Sequence, residues 1–178
     1  MVRMRWMGAA ALGLVLVAPA AAQWLAEGAV GRGVAQGESG RRIEFGFEVR
    51  RVMAPGRPGR DVRLNGQFQA AFVNREERFA VQVRLPEVQR LDLDRAGHVA
   101  EIAGSGVLLA RGPRGMERVP GRVFVRVADN RAADAASGAG DTIAVRFDPA
   151  RGDRKVDFAG VVVRGDIRVF VREGERQP

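Results

Sequence analysis

The chain has no cysteine, no tyrosine, one histidine and one lysine, and its only aliphatic hydroxyls are Ser39, Ser105, Ser137 and Thr142. Each shortage excludes something. Without cysteine there is no disulfide and no thiolate metal site, and one imidazole is too few for a transition-metal centre. A serine-type hydrolase needs a nucleophile, a base within reach of it and an acid that orients the base. His98 is the only imidazole, and Gly104-Ser105-Gly106 does not stand between a strand and a helix as a nucleophile elbow would. For glycoside hydrolysis the sequence cannot select two carboxylates from 21 acidic residues, and Trp24 is the only tryptophan beyond the leader described next. The expectation is a chain with no catalytic residues and no cofactor.

Long apolar runs are also missing. The longest covers residues 7–17, preceded by Arg3 and Arg5 and followed by Ala18-Pro19-Ala20-Ala21-Ala22. It is too short to cross a hydrocarbon layer, which takes roughly 20 apolar residues. A positive start, a short apolar centre and small residues at the end mark an export signal, with cleavage expected before Gln23. Residues 1–22 are therefore read as a signal peptide, and the expected location is periplasmic or secreted, with no transmembrane anchor. No cysteine follows the leader, so no lipid is attached there. Removing 22 of the 178 residues leaves 156, enough for one domain that buries about two-thirds of its unfolded surface. Stability then rests on an ordinary hydrophobic core.

What the sequence has in excess is arginine. The net charge is +8, and taking away the two leader arginines leaves +6. A basic chain attracts polyanions through its summed field. Here the arginines are spread along the chain and interleaved with Glu44, Glu48, Glu76, Glu77 and Asp92. A nucleic-acid reader would gather them on one face beside stacking aromatics. Specific nucleic-acid binding is not expected; an envelope component, a protein or a polyanion remain as partner classes.

The most regular pattern lies between Gly121 and Phe147. Val123, Val125 and Val127 alternate with Arg122 and Arg126, and Ile143, Val145 and Phe147 alternate with Thr142, Ala144 and Arg146. Period-two alternation on both sides of a polar connection predicts two half-buried antiparallel strands. The same period recurs through Ile43, Phe45, Phe47 and Val49, then Val62 to Phe72, then Phe79 to Leu85, and through Ile167, Val169 and Val171. A short piece carries Leu91 and Leu93. A softer stretch from His98 to Arg111, interrupted by Gly104 and Gly106, fits one bent strand or two short ones. Gly66 is read as a bulge or a close-packing position.

In domain terms, residues 23–40 form a Gly-rich segment with a first strand around residues 29–35, and residues 41–172 one all-β domain. A final hairpin is expected to turn at Arg164-Gly165, and residues 173–178 to form a frayed polar tail. The total is about nine or ten strands, in an antiparallel β-sandwich or a Greek-key or meander barrel. The expected core includes Phe45, Phe47, Phe68, Phe72, Phe79, Val125, Ile143, Val145 and Val169.

One connection carries oxygen ligands. Asp129, Asn130, Asp134 and Asp141 flank or lie within a single loop, and hard cations favour such turns. Calcium is the only metal for which the chain offers candidate ligands. Their spacing is irregular, and Ala132, Ala133, Ala135 and Ala136 separate the acids. The reading is a turn in which Asp129 and Asn130 hydrogen-bond nearby backbone amides, with no metal assigned.

Taken in order, Phe45-Gly-Phe47, Gly104-Ser-Gly106, Phe124-Val-Arg-Val-Ala-Asp-Asn130, Gly140-Asp-Thr-Ile-Ala-Val145 and the closing Gly160…Gly165-Asp-Ile-Arg-Val169 resemble the post-COAP modules of bacteria. The resemblance spans about residues 28–172. Arg131 departs from it, standing where a glycine commonly follows the Asp-Asn pair. What the resemblance implies is a small exported β-module, found alone or appended to larger surface proteins, with no established activity to carry over. Two functions are therefore expected to compete: a non-catalytic structural or interaction domain at the envelope or outside the cell, and a small-ligand carrier with a hollow β-barrel. The first calls for an exposed apolar or aromatic patch of several hundred Å² on the outside, the second for Phe-rich faces that line a cavity.

Overall fold

A computed structural model of the chain describes residues 23–53, 62–74, 79–96, 98–112, 115–131 and 139–175. They form nine strands: β1 (Gln23–Gln36), β2 (Arg42–Met53), β3 (Val62–Asn74), β4 (Phe79–Leu85), β5 (Arg90–Asp94), β6 (Val99–Gly112), β7 (Gly115–Ala128), β8 (Thr142–Pro149) and β9 (Val156–Glu175). The spatial order is β4-β3-β2-β1-β9-β8-β7-β6, and β4 pairs again with β6 to close the ring. Every pairing is antiparallel. The fold is an eight-stranded up-and-down barrel with β5 as a ninth strand on its wall.

The sandwich alternative is thereby corrected, and so is the Greek key. Alternating strands serve a sandwich and a barrel equally well, since both bury one face of each strand. Two pairings between strands distant in sequence make the difference. β1 joins β9 from Gln23↔Glu175 to Gln36↔Val161, and β4 joins β6 from Val81↔Ala110 to Arg84↔Val107. Closure removes edges that would otherwise be open to pairing with another chain.

β1 begins at Gln23, well before the expected residues 29–35, because β2 and β9 hold it along its length on either side. β6 is one strand whose partner changes at the two glycines. Residues 99–103 pair with β5 and residues 107–110 with β4, while β7 pairs along all of it. Gly66 packs closely: its register is unbroken, and an added Cβ would lie 2.6 Å from the Glu48 carbonyl oxygen.

The expected final hairpin does not exist. β9 runs straight through Arg164-Gly165, with a register shift opposite Val34 and Ala35. Gly165 has φ +103°, and an added Cβ would sit 2.1 Å from the Arg32 carbonyl oxygen. A glycine in the left-handed region serves a bulge as well as it serves a turn, which is why its local signal misleads. The tail also forms strand up to Glu175, pairing Glu173 with Leu25, Gly174 with Trp24 and Glu175 with Gln23; residues 176–178 lie outside the described ones.

Inside the ring lie the alternating apolar residues. Phe45, Phe47, Phe68, Val125, Ile143 and Val145 are buried as expected, and Phe72 and Val169 are partly buried against the same core. The side chain of Phe79 lies outside the description. Ring centroids stand 6.2 Å apart for Phe45 and Phe47 and 6.3 Å for Phe47 and Phe68, and Phe72 meets Phe158 edge-on at 5.9 Å. These distances are those of rings in direct contact. The outer wall is polar by comparison. Arg50 pairs there with Glu48, Arg126 with Glu101, Arg146 with Asp148, Arg154 with Glu117 and Arg168 with Asp166. Exposed pairs of this kind add little stability each. They account for many of the interleaved charges seen in the sequence.

Candidate functional site

Cross-strand register places one set of side chains together on the outer wall. Arg90 of β5 lies opposite Ala103 of β6, which lies opposite Phe124 of β7, then Arg146 of β8 and Asp157 of β9. The row beside it reads Asp92, Glu101, Arg126, Ala144 and Ala159. Within these rows small residues lie beside long ones. Ala103 and Ala144 leave low points next to Phe124 and the arginines, and the result is an open groove of about 250 Å³. Five strands at the usual spacing make the two rows about 19 Å long, running across the strands.

Phe124 is the aromatic of this groove. It points outward from β7 because its parity is opposite to that of Val123 and Val125, both buried. The Arg146 guanidinium carbon stands 4.6 Å from its ring centroid and that of Arg122 5.8 Å, both within cation–π range. Around it the charges alternate in sign. Arg90 pairs with Asp92, Arg126 reaches Glu101 at 3.6 Å, and Arg146 binds Asp148 at 3.1 Å. Among the groove's own residues three arginines face the three carboxylates of Asp92, Glu101 and Asp157. Donors and acceptors are both present, and their charges balance.

A second cluster sits inside the barrel, near the start of β1. Glu27 is 1 % exposed, at the inward parity shared by Ala29 and Ala35. Directly opposite it on β2 is Arg51, whose Nε donates to Glu27 Oε1 at 2.6 Å and whose second guanidinium nitrogen also binds that oxygen. Arg95, in the turn after β5, donates to Oε2 at 2.5 Å. Arg51 also donates to the Leu91 carbonyl at 3.2 Å and so ties β5 to β2. Burial alone raises the Glu27 pKa, but hydrogen bonds from Arg95 and Arg51 and their positive charge outweigh it and hold the carboxyl below its ordinary range. Both oxygens are thus engaged in fastening the wall. Neither Glu27 nor Arg51 stood out in the sequence, although a charge at an inward position was the available signal.

The calcium candidates are at a third place. β8 is shorter than its neighbours, so the C-terminal part of β9 extends beyond it. Asp141 Oδ2 accepts from the Ile167 amide at 3.1 Å, and Asp129 Oδ2 accepts from the Val169 amide at 3.2 Å. Two aspartates thereby take the place of the missing strand. Asn130 Nδ2 donates to the Gly140 carbonyl at 2.9 Å, and Arg131 lies 3.3 Å from Asp141. Asp134 lies outside the described residues. Asp141 is fully buried, and its Oδ1 has no hydrogen-bond partner among the described residues. The two aspartate bonds run to β9 across the barrel wall, farther than a local turn would reach, and Asn130 binds a carbonyl in place of the expected amide. No cluster of three or more metal-ligating side chains occurs among the described residues. Since Asp129 and Asp141 already hold amides, a chelator should leave the melting temperature unchanged and calcium should not raise it. A rise of several degrees in a thermal melt with calcium would contradict this.

The described hydroxyl residues lie on different elements: Ser39 after β1, Ser105 on β6 and Thr142 on β8. Ser39 accepts from Arg41 Nε at 3.2 Å near the β1–β2 turn, and Ser105 is exposed on β6 with Gln89. Ser137 lies outside the described residues, and His98 adopts φ +50° before β6, its carbonyl accepting the Asp129 amide at 3.0 Å. Comparison with family models, with curated proteins and with solved structures finds no match.

Proposed function

We propose that the protein is an exported, non-catalytic interaction module of the cell envelope or of the space outside it, and that it binds through the groove across β5–β9. The observation that carries this reading is Phe124: a large apolar side chain turned to the outside, in a recess framed by small residues and balanced charges. The leader-like start of the chain supports export, and the resemblance to post-COAP modules supports an accessory role. Preference over a carrier rests on the interior, where Phe47 is in contact with Phe45 and Phe68, and Phe72 with Phe158. A lipid-facing barrel carries an apolar belt outside and polar residues within. The pattern of buried phenylalanines and outer ion pairs is the reverse.

The test is co-sedimentation with isolated cell envelopes. Wild-type protein should sediment with them. A double variant with Phe124→Ala and Ala144→Arg, which removes the ring and fills the recess, should remain in the supernatant with its melting temperature little changed. Equal sedimentation of the two would overturn the groove as the binding surface. Fractionation of cells making the full chain tests export: the expected product begins near Gln23 outside the cytoplasm, and an intact leader on a cytoplasmic product contradicts it.

A further inference from the structure

The charge pattern and the backbone of the groove limit what it can hold. Both edges of β6, β7 and β8 along the groove are already paired with neighbouring strands. An extended peptide cannot add a strand along those three, because that mode of recognition needs a free edge; at the end of the groove β5 pairs only with β6 among the described residues. Across β6–β8 binding must come from side chains alone. A polyanion would meet Arg90, Arg126 and Arg146, but also Asp92, Glu101 and Asp157 on the same surface. Its attraction to the first three is offset by repulsion from the second three. What suits alternating guanidinium and carboxylate groups is a neutral molecule with many hydroxyls, each able to donate to a carboxylate and to accept from an arginine. The apolar C–H face of such a molecule has a place against Phe124 and the floor of Ala103 and Ala144.

From this we infer that the ligand of the groove is a neutral glycan chain of the envelope, lying across β5–β9 with one sugar ring against Phe124. The inference rests on the groove being the binding surface. It adds the chemical class. With one aromatic residue and no tryptophan in the groove, each contact is weak, and several sugar units must bind at once to give useful affinity.

Two sets of measurements test it. Neutral tetrasaccharides of glucose and of N-acetylglucosamine are titrated into the protein beside two acidic polymers, heparin and polygalacturonate. At least one neutral tetrasaccharide should bind saturably, and Phe124→Ala should weaken it by about tenfold or more while the melt stays unchanged. In parallel, envelopes are mixed with an excess of the tetrasaccharide that binds best, or are treated with protease. The tetrasaccharide should abolish co-sedimentation and protease should leave it intact. If protease abolishes it, or if only the acidic polymers bind, and the Phe124→Ala, Ala144→Arg variant still loses binding, the groove stands and the glycan is wrong. If none of the neutral tetrasaccharides binds, the inference is likewise overturned. Should neutral glycans bind the double variant as well as the wild type, the groove itself is wrong.

Discussion

Phe47→Ala is expected to cost about 3–5 kcal/mol of stability, the range for a buried phenylalanine truncated in a packed core. Phe47 lies at the centre of the inward face, paired in register with Gly31 of β1 on one side and Phe68 of β3 on the other. It touches Phe45 and Phe68. Gly31 makes room for it: a Cβ there would lie 2.6 Å from Phe47 Cε1. Removing the ring leaves a hole against a strand that has no side chain to fill it. Both neighbouring strands are held in their ladders, so the wall can collapse only partly. A denaturant titration would show a lower midpoint with a similar slope. An unchanged midpoint would mean that the ring is not part of a filled interior.

Glu27→Gln should produce the second large loss, about 3 kcal/mol at neutral pH, near the lower end of the range for breaking a buried ion pair because Arg51 and Arg95 keep some contact with water. A paired replacement, Glu27→Leu with Arg51→Leu, should recover much of that loss, since two apolar groups leave no buried charge behind. The carboxyl's pKa is held below its ordinary value of 4.5 in the folded protein. A depressed carboxylate pKa contributes stability that is fully present above the unfolded value and is lost as pH falls through the folded one. Wild-type protein should therefore lose stability on acidification below about pH 4.5 more steeply than Glu27→Gln does. Parallel acid limbs would show that Glu27 does not hold the barrel in its ionised form.

The alternation in Val123-Phe124-Val125-Arg126-Val127 could be read directly, because each residue's face depends only on its neighbours in the chain. The all-β class and the facing of most of the expected core came from that local rule. What escaped it depends on partners distant in sequence. β1 looked weak because of its glycines, yet β2 and β9 hold it on both sides. Arg164-Gly165 looked like a turn, and its glycine stands beside a bulge in a strand held by β1. The groove was unreadable for the same reason: Arg90, Ala103, Phe124, Arg146 and Asp157 share a row only through four successive registers. Asp129 and Asp141 did stand out as oxygen-rich. Their engagement with Ile167 and Val169 required knowing that β9 outruns β8.

Chemical-shift mapping separates an outer-wall binder from a carrier in one experiment. Isotope-labelled protein is titrated with the neutral tetrasaccharide that binds it best, and the backbone amide shifts are followed. The expected shifts gather at Arg90, Ala103, Phe124, Arg126, Ala144 and Arg146, with Ala29, Phe45, Phe47 and Phe68 unmoved. Shifts concentrated on those interior residues, with the outer row silent, would mean that ligand enters the barrel and that the outer-wall account is wrong.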